Sequence, residues 1–123
     1  MKLRILGNSL RLRLKRGEVE RLAAGNKLVE ETRLPGSAFL YSLELSDADD
    51  MMASFEDGNL AVSMPREIIP EWAETDLVSL YSELSLPDDG MLKILVEKDF
   101  SCLEPGHHRD CEEDEDTYPH PSA

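Results

Sequence analysis

Shifted along itself by 50 residues, the chain meets its own hydrophobic pattern a second time. Leu10, Leu12 and Leu14 fall on Leu60, Val62 and Met64, Val19 on Ile69, Leu22 on Trp72, Ala23 on Ala73 and Leu28 on Val78. Asn26 falls on Asp76 at the turn that follows. Literal identities are few, so what recurs is a pattern and an order of elements. Such a recurrence restricts the architecture before any single element is assigned.

In the first half, residues 2–6 read as a strand in which Leu3 and Ile5 alternate with Lys2 and Arg4. Gly7-Asn8 predicts a tight turn, because both residue types tolerate positive φ. Leu10, Leu12 and Leu14 then alternate with Arg11 and Arg13, which puts three leucines on one face and two arginines on the other. Over 16–24 the period lengthens to that of a helix, with Val19, Leu22 and Ala23 on one stripe and Gly25 as its stop. Strands follow near 27–34 and 38–45, joined by Pro35-Gly36-Ser37. The second half predicts a strand over 51–56, a hairpin turn at Asp57-Gly58 and a strand over 60–64. Pro65 opens a short helix that Pro70 limits to two turns. The last strands fall near 77–84 and 91–98, across Pro87-Asp88-Asp89-Gly90. The expected fold is α+β and mostly β: two ββαββ repeats, 1–45 and 51–98, joined by an acidic linker at 46–50. They would share one barrel-like core in a single compact domain of residues 1–100, with 101–123 as a separate acidic tail.

A chain of 123 residues and 13.9 kDa is large enough for a core without disulfides. No apolar run approaches the roughly 20 residues of a membrane helix, and the N-terminal residues lack the apolar stretch of a secretory signal. A cytoplasmic protein without membrane contact is expected, with Cys102 and Cys111 as thiols or metal ligands rather than a disulfide. The net charge of −13 is unevenly spread. Residues 1–33 hold nine of the thirteen basic side chains against four acids, whereas residues 34–123 hold four against twenty-two. Two surfaces with different partners, or one that shields the other, would account for the split, and so would an unevenly charged solvated surface.

The stretch GNSLRLRLKRGEVERLAAGNKLVE resembles the swapped-hairpin regulators, namely the MazE-type antitoxins and the AbrB-type transition-state regulators. Gly7-Asn8-Ser9 matches their turn, Arg11 and Arg13 their basic strand, and Gly25-Asn26 their post-helix turn. GNLAVSMPREIIPEWAETDLVSL is similar again, with Met64-Pro65-Arg66-Glu67 keeping the proline at the helix start. The whole chain also resembles a group of small, uncharacterised bacterial proteins, a likeness that implies no activity. The regulator resemblance implies hairpin exchange between two copies, here fused as a pseudo-dimer within one chain. It implies DNA contact through paired basic strands and an extended acidic C-terminus that wraps a partner protein. This chain departs from the family at Leu6, where antitoxins often carry Trp, and at Lys15, where Pro normally opens the helix. In the second half, Ser54, Ala61 and Ser63 stand where the first has Arg4, Arg11 and Arg13. A single basic arm cannot read two half-sites symmetrically.

Arg4, Arg11, Arg13 and Lys15 are the nucleic-acid candidates, since a two-stranded ribbon fits the major groove and Arg pairs bidentately with guanine or phosphate. The same side chains would also serve as the solvated, edge-protecting face of an amphipathic strand pair. Cys102, His107, His108 and Cys111 form the metal candidate: thiolate and imidazole suit tetrahedral zinc, and Pro105-Gly106 could supply the bend that adjacent histidines need. Their spacing is not that of a standard finger, and a solvated segment with Cys102 against the last strand would also explain them. Glu112, Glu113, Asp114, Glu115 and Asp116 are too densely charged to pack and predict a disordered segment. With Tyr118 beyond them, they are the candidate partner-binding arm, although solvation alone would also account for them. No phosphate loop, HExxH motif or nucleophile elbow is present. The expectation is a non-catalytic regulatory or adaptor protein, a monomeric pseudo-dimer or a homodimer. It would bind an unidentified protein through its acidic tail, with a basic hairpin as a second, DNA-facing surface. The competing class is a metal-binding protein that uses the Cys/His segment for zinc. Otherwise no cofactor is expected.

Overall fold

The computed structural model describes residues 1–74 and 78–99. Its elements run β1 (Lys2–Leu6), β2 (Ser9–Leu14), α1 (Arg16–Ala23), β3 (Leu28–Leu34), β4 (Ser37–Ser46), β5 (Met52–Glu56) and β6 (Asn59–Pro65). A 3-10 turn at Arg66–Ile68 leads straight into α2 (Ile69–Glu74), and β7 (Ser79–Ser85) and β8 (Met91–Lys98) complete the order. The chain is mostly β, and strand–strand–helix–strand–strand occurs twice.

The strands form two four-stranded sheets, ordered β1-β2-β8-β7 and β3-β4-β6-β5. Each half sends its first hairpin to one sheet and its second hairpin to the other. Within a hairpin the strands are antiparallel, and the hairpins of the two halves meet through parallel pairs, β2 with β8 and β4 with β6. A closed barrel, as the alternating strands suggested, is not what forms. Side-by-side joining through the inner strands leaves β1, β7, β3 and β5 as edges, so the sheets do not hydrogen-bond into one ring.

One core lies between the sheets and under the helices. β2 contributes Leu10, Leu12 and Leu14, β6 contributes Leu60, Val62 and Met64, and β8 contributes Ile94 and Val96. Leu43 of β4 and Leu28 of β3 complete the sheet contribution. Val19 and Leu22 of α1 and Ile69 and Trp72 of α2 close it. Each fully buried aliphatic or aromatic side chain of this kind stabilises by roughly 1.5–3 kcal/mol relative to exposure. Trp72 also keeps its polar atom satisfied, since its Nε1–H donates to the Val78 carbonyl at 3.3 Å.

Local chemistry sets the boundaries. α1 starts where Glu18 Oε1 accepts the Lys15 backbone N–H at 2.9 Å, and ends at Gly25, with φ +97°. Of the two residues in the first hairpin turn only Gly7 takes a positive φ, at 56°. The Asp57-Gly58 turn uses positive φ at both positions, 51° and 77°, the geometry that matches the twist of the flanking strands. Pro65 does not begin the second helix. It ends β6 in an extended conformation, one residue before the 3-10 turn, and Pro70 falls in the first turn of α2, where its missing N–H costs nothing. Among the described residues no helix is long and apolar enough to cross a membrane.

Candidate functional site

The pairing registers place three rows of side chains across the outer face of the first sheet. One row reads Lys2, Arg13, Glu97, Ser79; the next reads Arg4, Arg11, Leu95, Tyr81; the third reads Leu6, Ser9, Lys93, Glu83. Alternation produces this face. The leucines of β2 and Ile94 and Val96 of β8 turn to the core, so the residues between them turn outward. The second and third rows border an open depression of about 300 Å³ whose walls include Arg4, Arg11, Lys93, Leu95 and Tyr81. Leu6 and Tyr81 are large apolar side chains left exposed at its margins.

Charge on this face is only partly balanced. Arg13 Nε lies 2.6 Å from Glu97 Oε1, and Arg11 Nε lies 3.4 Å from the same oxygen. Lys2 faces Asp99 at 3.5 Å. Arg4 sits directly opposite Arg11 across the antiparallel pair and has no ion pair among the described residues; nor has Lys93. Like charges directly opposite each other in a strand pair are unfavourable unless an anion joins them. Glu83, the acid beside Lys93, accepts the Tyr81 hydroxyl at 2.9 Å.

The second sheet turns a different surface outward. Ser54, Ala61 and Ser63 occupy the outer positions matching Arg4, Arg11 and Arg13, and Glu31, Glu44 and Glu56 lie on the same face with Arg33. The two outer faces of the molecule therefore differ in sign. The uneven charge along the chain becomes, in the described residues, an unevenness between faces.

Of the four nucleic-acid candidates, Arg4, Arg11 and Arg13 share one face as expected. Lys15 does not join them, because it sits at the start of α1 past the end of β2. Lys93, Leu95 and Tyr81 belong to the face but come from β7 and β8, so the local hairpin pattern could not nominate them. Their signal was the alternation Lys93, Leu95, Glu97 between core residues of β8. The metal candidates Cys102, His107, His108 and Cys111 lie outside the described residues. So do the partner-arm candidates Glu112, Glu113, Asp114, Glu115, Asp116 and Tyr118. Among the described residues, no group of three or more His, Cys, Asp or Glu side chains could hold a metal ion.

A protein family of unknown function, DUF7009, matches residues 1–122, and the chain belongs to it. No curated protein and no solved structure matches the chain.

Proposed function

We propose that this member of DUF7009 is a non-catalytic regulatory or adaptor protein that acts by binding, and that the outer face of its first sheet takes a phosphate-bearing polyanion, nucleic acid first. The observation that carries the reading is Arg4 facing Arg11 with no carboxylate paired to Arg4 among the described residues, on a face that Lys93 extends. Guanidinium groups pair bidentately with phosphate, and the neighbouring Tyr81 and Leu95 offer apolar surface to a sugar or base. A chain of net charge −13 repels a polyanion at long range, so the contact must form within a Debye length of roughly 8–10 Å. Hairpin exchange between the two halves supports kinship of architecture with the swapped-hairpin regulators, as a duplicated pseudo-dimer. The acidic arm that begins at Glu112 would serve a protein partner, a role carried by its sequence charge alone.

The test is titration of a labelled mixed-sequence DNA duplex with the full chain from low to physiological salt. Three cations predict that log affinity falls with log salt at a slope of roughly −2 to −3, about −0.9 per phosphate contacted. Arg4→Ala with Arg11→Ala should flatten that slope. Absence of binding at the lowest salt would reject the reading.

A further inference from the structure

β7 is an edge strand, and its backbone parity can be read from one hydrogen bond. Lys98 N–H donates to the Val78 carbonyl at 3.0 Å across the antiparallel β7–β8 pair. Narrow and wide pairs alternate in such a ladder, so the even-numbered residues of β7 bond to β8 and Ser79, Tyr81 and Glu83 turn their N–H and C=O groups outward. Among the described residues nothing pairs with them. The strand also lacks the usual protection of an edge. It carries one charge, Glu83, in seven residues, whereas β1 carries Lys2 and Arg4 and β3 carries Glu30, Glu31 and Arg33.

A groove of about 390 Å³ runs beside this edge. Leu80, Tyr81 and Ser82 all line it. Leu80 and Ser82 turn to one side of the strand and Tyr81 to the other, so a groove bordered by all three runs along the strand's edge. The opposite wall is the linker before β5 and the 3-10 turn. Met51, Ile68 and Leu80 supply the apolar floor, and Asp49, Asp50 and Glu67 supply the rim.

The corresponding place in the first half explains the floor. Fifty residues earlier stand Met1, Glu18 and Glu30, and there the amine of Met1 is held by both carboxylates. In the second half the nitrogen of Met51 is an uncharged peptide nitrogen, and Ile68 and Leu80 replace the two acids. The carboxylates of this groove lie on its rim instead, and Asp49, Asp50 and Glu67 have no ion pair among the described residues. Arg66, the nearby cation, is turned to Asp47 at 3.1 Å.

We propose that the β7 edge accepts an extended, lysine- or arginine-bearing segment of another protein as a fifth strand of the first sheet. Its backbone would pair with Ser79, Tyr81 and Glu83, its apolar side chains would cover Met51, Ile68 and Leu80, and its cations would meet the acidic rim. Strand addition of this kind draws affinity from main-chain bonds and selectivity from alternate side chains. The edge adjoins the Arg4–Arg11 face at Tyr81, whose side chain borders that face while its outward backbone groups serve the edge, and the proposal does not depend on polyanion binding.

The probe is a fluorescein-labelled, end-blocked octapeptide of alternating Lys and Val, titrated against the full chain by anisotropy. The controls are a Glu/Val peptide and a Lys/Val peptide N-methylated at alternate residues. The Lys/Val peptide should bind and the two controls should not. Asp49→Asn, Asp50→Asn and Glu67→Gln together should weaken it by about tenfold or more, a change well within what three lost charge contacts supply. Tyr81→Pro, which removes one outward N–H at a position where an edge tolerates proline, should abolish binding that Tyr81→Thr retains. Hydrogen exchange at the Tyr81 and Glu83 amides should slow on binding. Arg4→Ala with Arg11→Ala should leave the affinity unchanged, so failure here and failure of the polyanion reading are separable. The proposal is overturned if the N-methylated peptide binds as well as the parent, if Tyr81→Pro binds like Tyr81→Thr, or if the parent peptide does not bind.

Discussion

Arg13 Nε–H donates to Glu97 Oε1 at 2.6 Å across the parallel junction of β2 and β8, joining residues 84 apart in sequence. Arg11 competes for the same oxygen. The Glu97 side chain is only 13% exposed, so its negative charge is committed to the two arginines rather than to solvent.

Removing that carboxylate should have two opposite effects. Glu97→Ala should cost about 1–3 kcal/mol of stability, the range for losing a charge-assisted hydrogen bond in a half-buried place, read as a lower urea midpoint. Glu97→Gln keeps the shape and frees two guanidinium charges. If the outer face binds phosphate, this variant should bind the DNA duplex more tightly than the parent and with a steeper salt slope.

Gly58 is required by its backbone and by its neighbour. It takes φ +77°, and a Cβ there would lie 3.0 Å from the Ala38 carbonyl oxygen at the facing hairpin tip. Gly58→Ala should therefore destabilise by more than the roughly 1–2 kcal/mol of a left-handed L-residue alone. Gly7→Ala, at φ +56° with nothing within 4 Å of the added carbon, should cost less. Parallel urea titrations of the two variants would show the difference.

Tyr41 makes stability depend on alkaline pH. Burial, and then the negative charges of Glu30 and Glu18, hold its phenol protonated above its ordinary pKa of 10.0. The neutral hydroxyl donates to the Met1 carbonyl at 2.7 Å. Because the folded pKa exceeds the unfolded one, this contribution is complete below about pH 10 and is lost as pH rises through the folded value. The urea midpoint of the parent should fall more steeply above pH 10 than that of Tyr41→Phe, which lacks the titrating group. Identical pH profiles would show that Tyr41 makes no such contribution.

Trp72 closes the core from α2 with no exposed surface. Trp72→Ala should cost about 3–5 kcal/mol through lost burial and the cavity left behind. Trp72→Phe should cost less, though it leaves the Val78 carbonyl without one of its two donors. As the chain's one tryptophan, it also makes the parent's unfolding visible by fluorescence.

The strand alternation and the 50-residue recurrence located the elements because burial on one face leaves a period of two along each strand. The core positions Leu10, Leu12, Leu14, Leu60, Val62 and Met64 followed from it. The β8 range agrees with the alternation from Met91 to Lys98, whereas Pro65 misled: proline fits a helix start and a strand end equally, and an extended ψ of 131° decided for the strand. The pairing of the hairpins was not legible from local pattern, since a parallel contact between β2 and β8 leaves no signature near either strand. For the same reason the site was half visible. Arg4, Arg11 and Arg13 could be read from one hairpin, but Glu97, which pairs with two of them, and Lys93, which extends the face, arrive from the other half of the chain. The acid that most changes the meaning of the arginines was the one that local reading could not place beside them.

The exchange of hairpins gives residues 47–51 a role beyond joining β4 to β5. Neither half contains a complete sheet, so cutting the chain in that segment would turn folding into a meeting of two fragments, with stability that rises with fragment concentration. In the intact chain, a short tether holds each half at an effective concentration on the order of millimolar for the other. The same four hairpins could close between two chains with the same contacts. This acidic tether is what makes the reaction first-order and lets each hairpin find its partner within its own molecule.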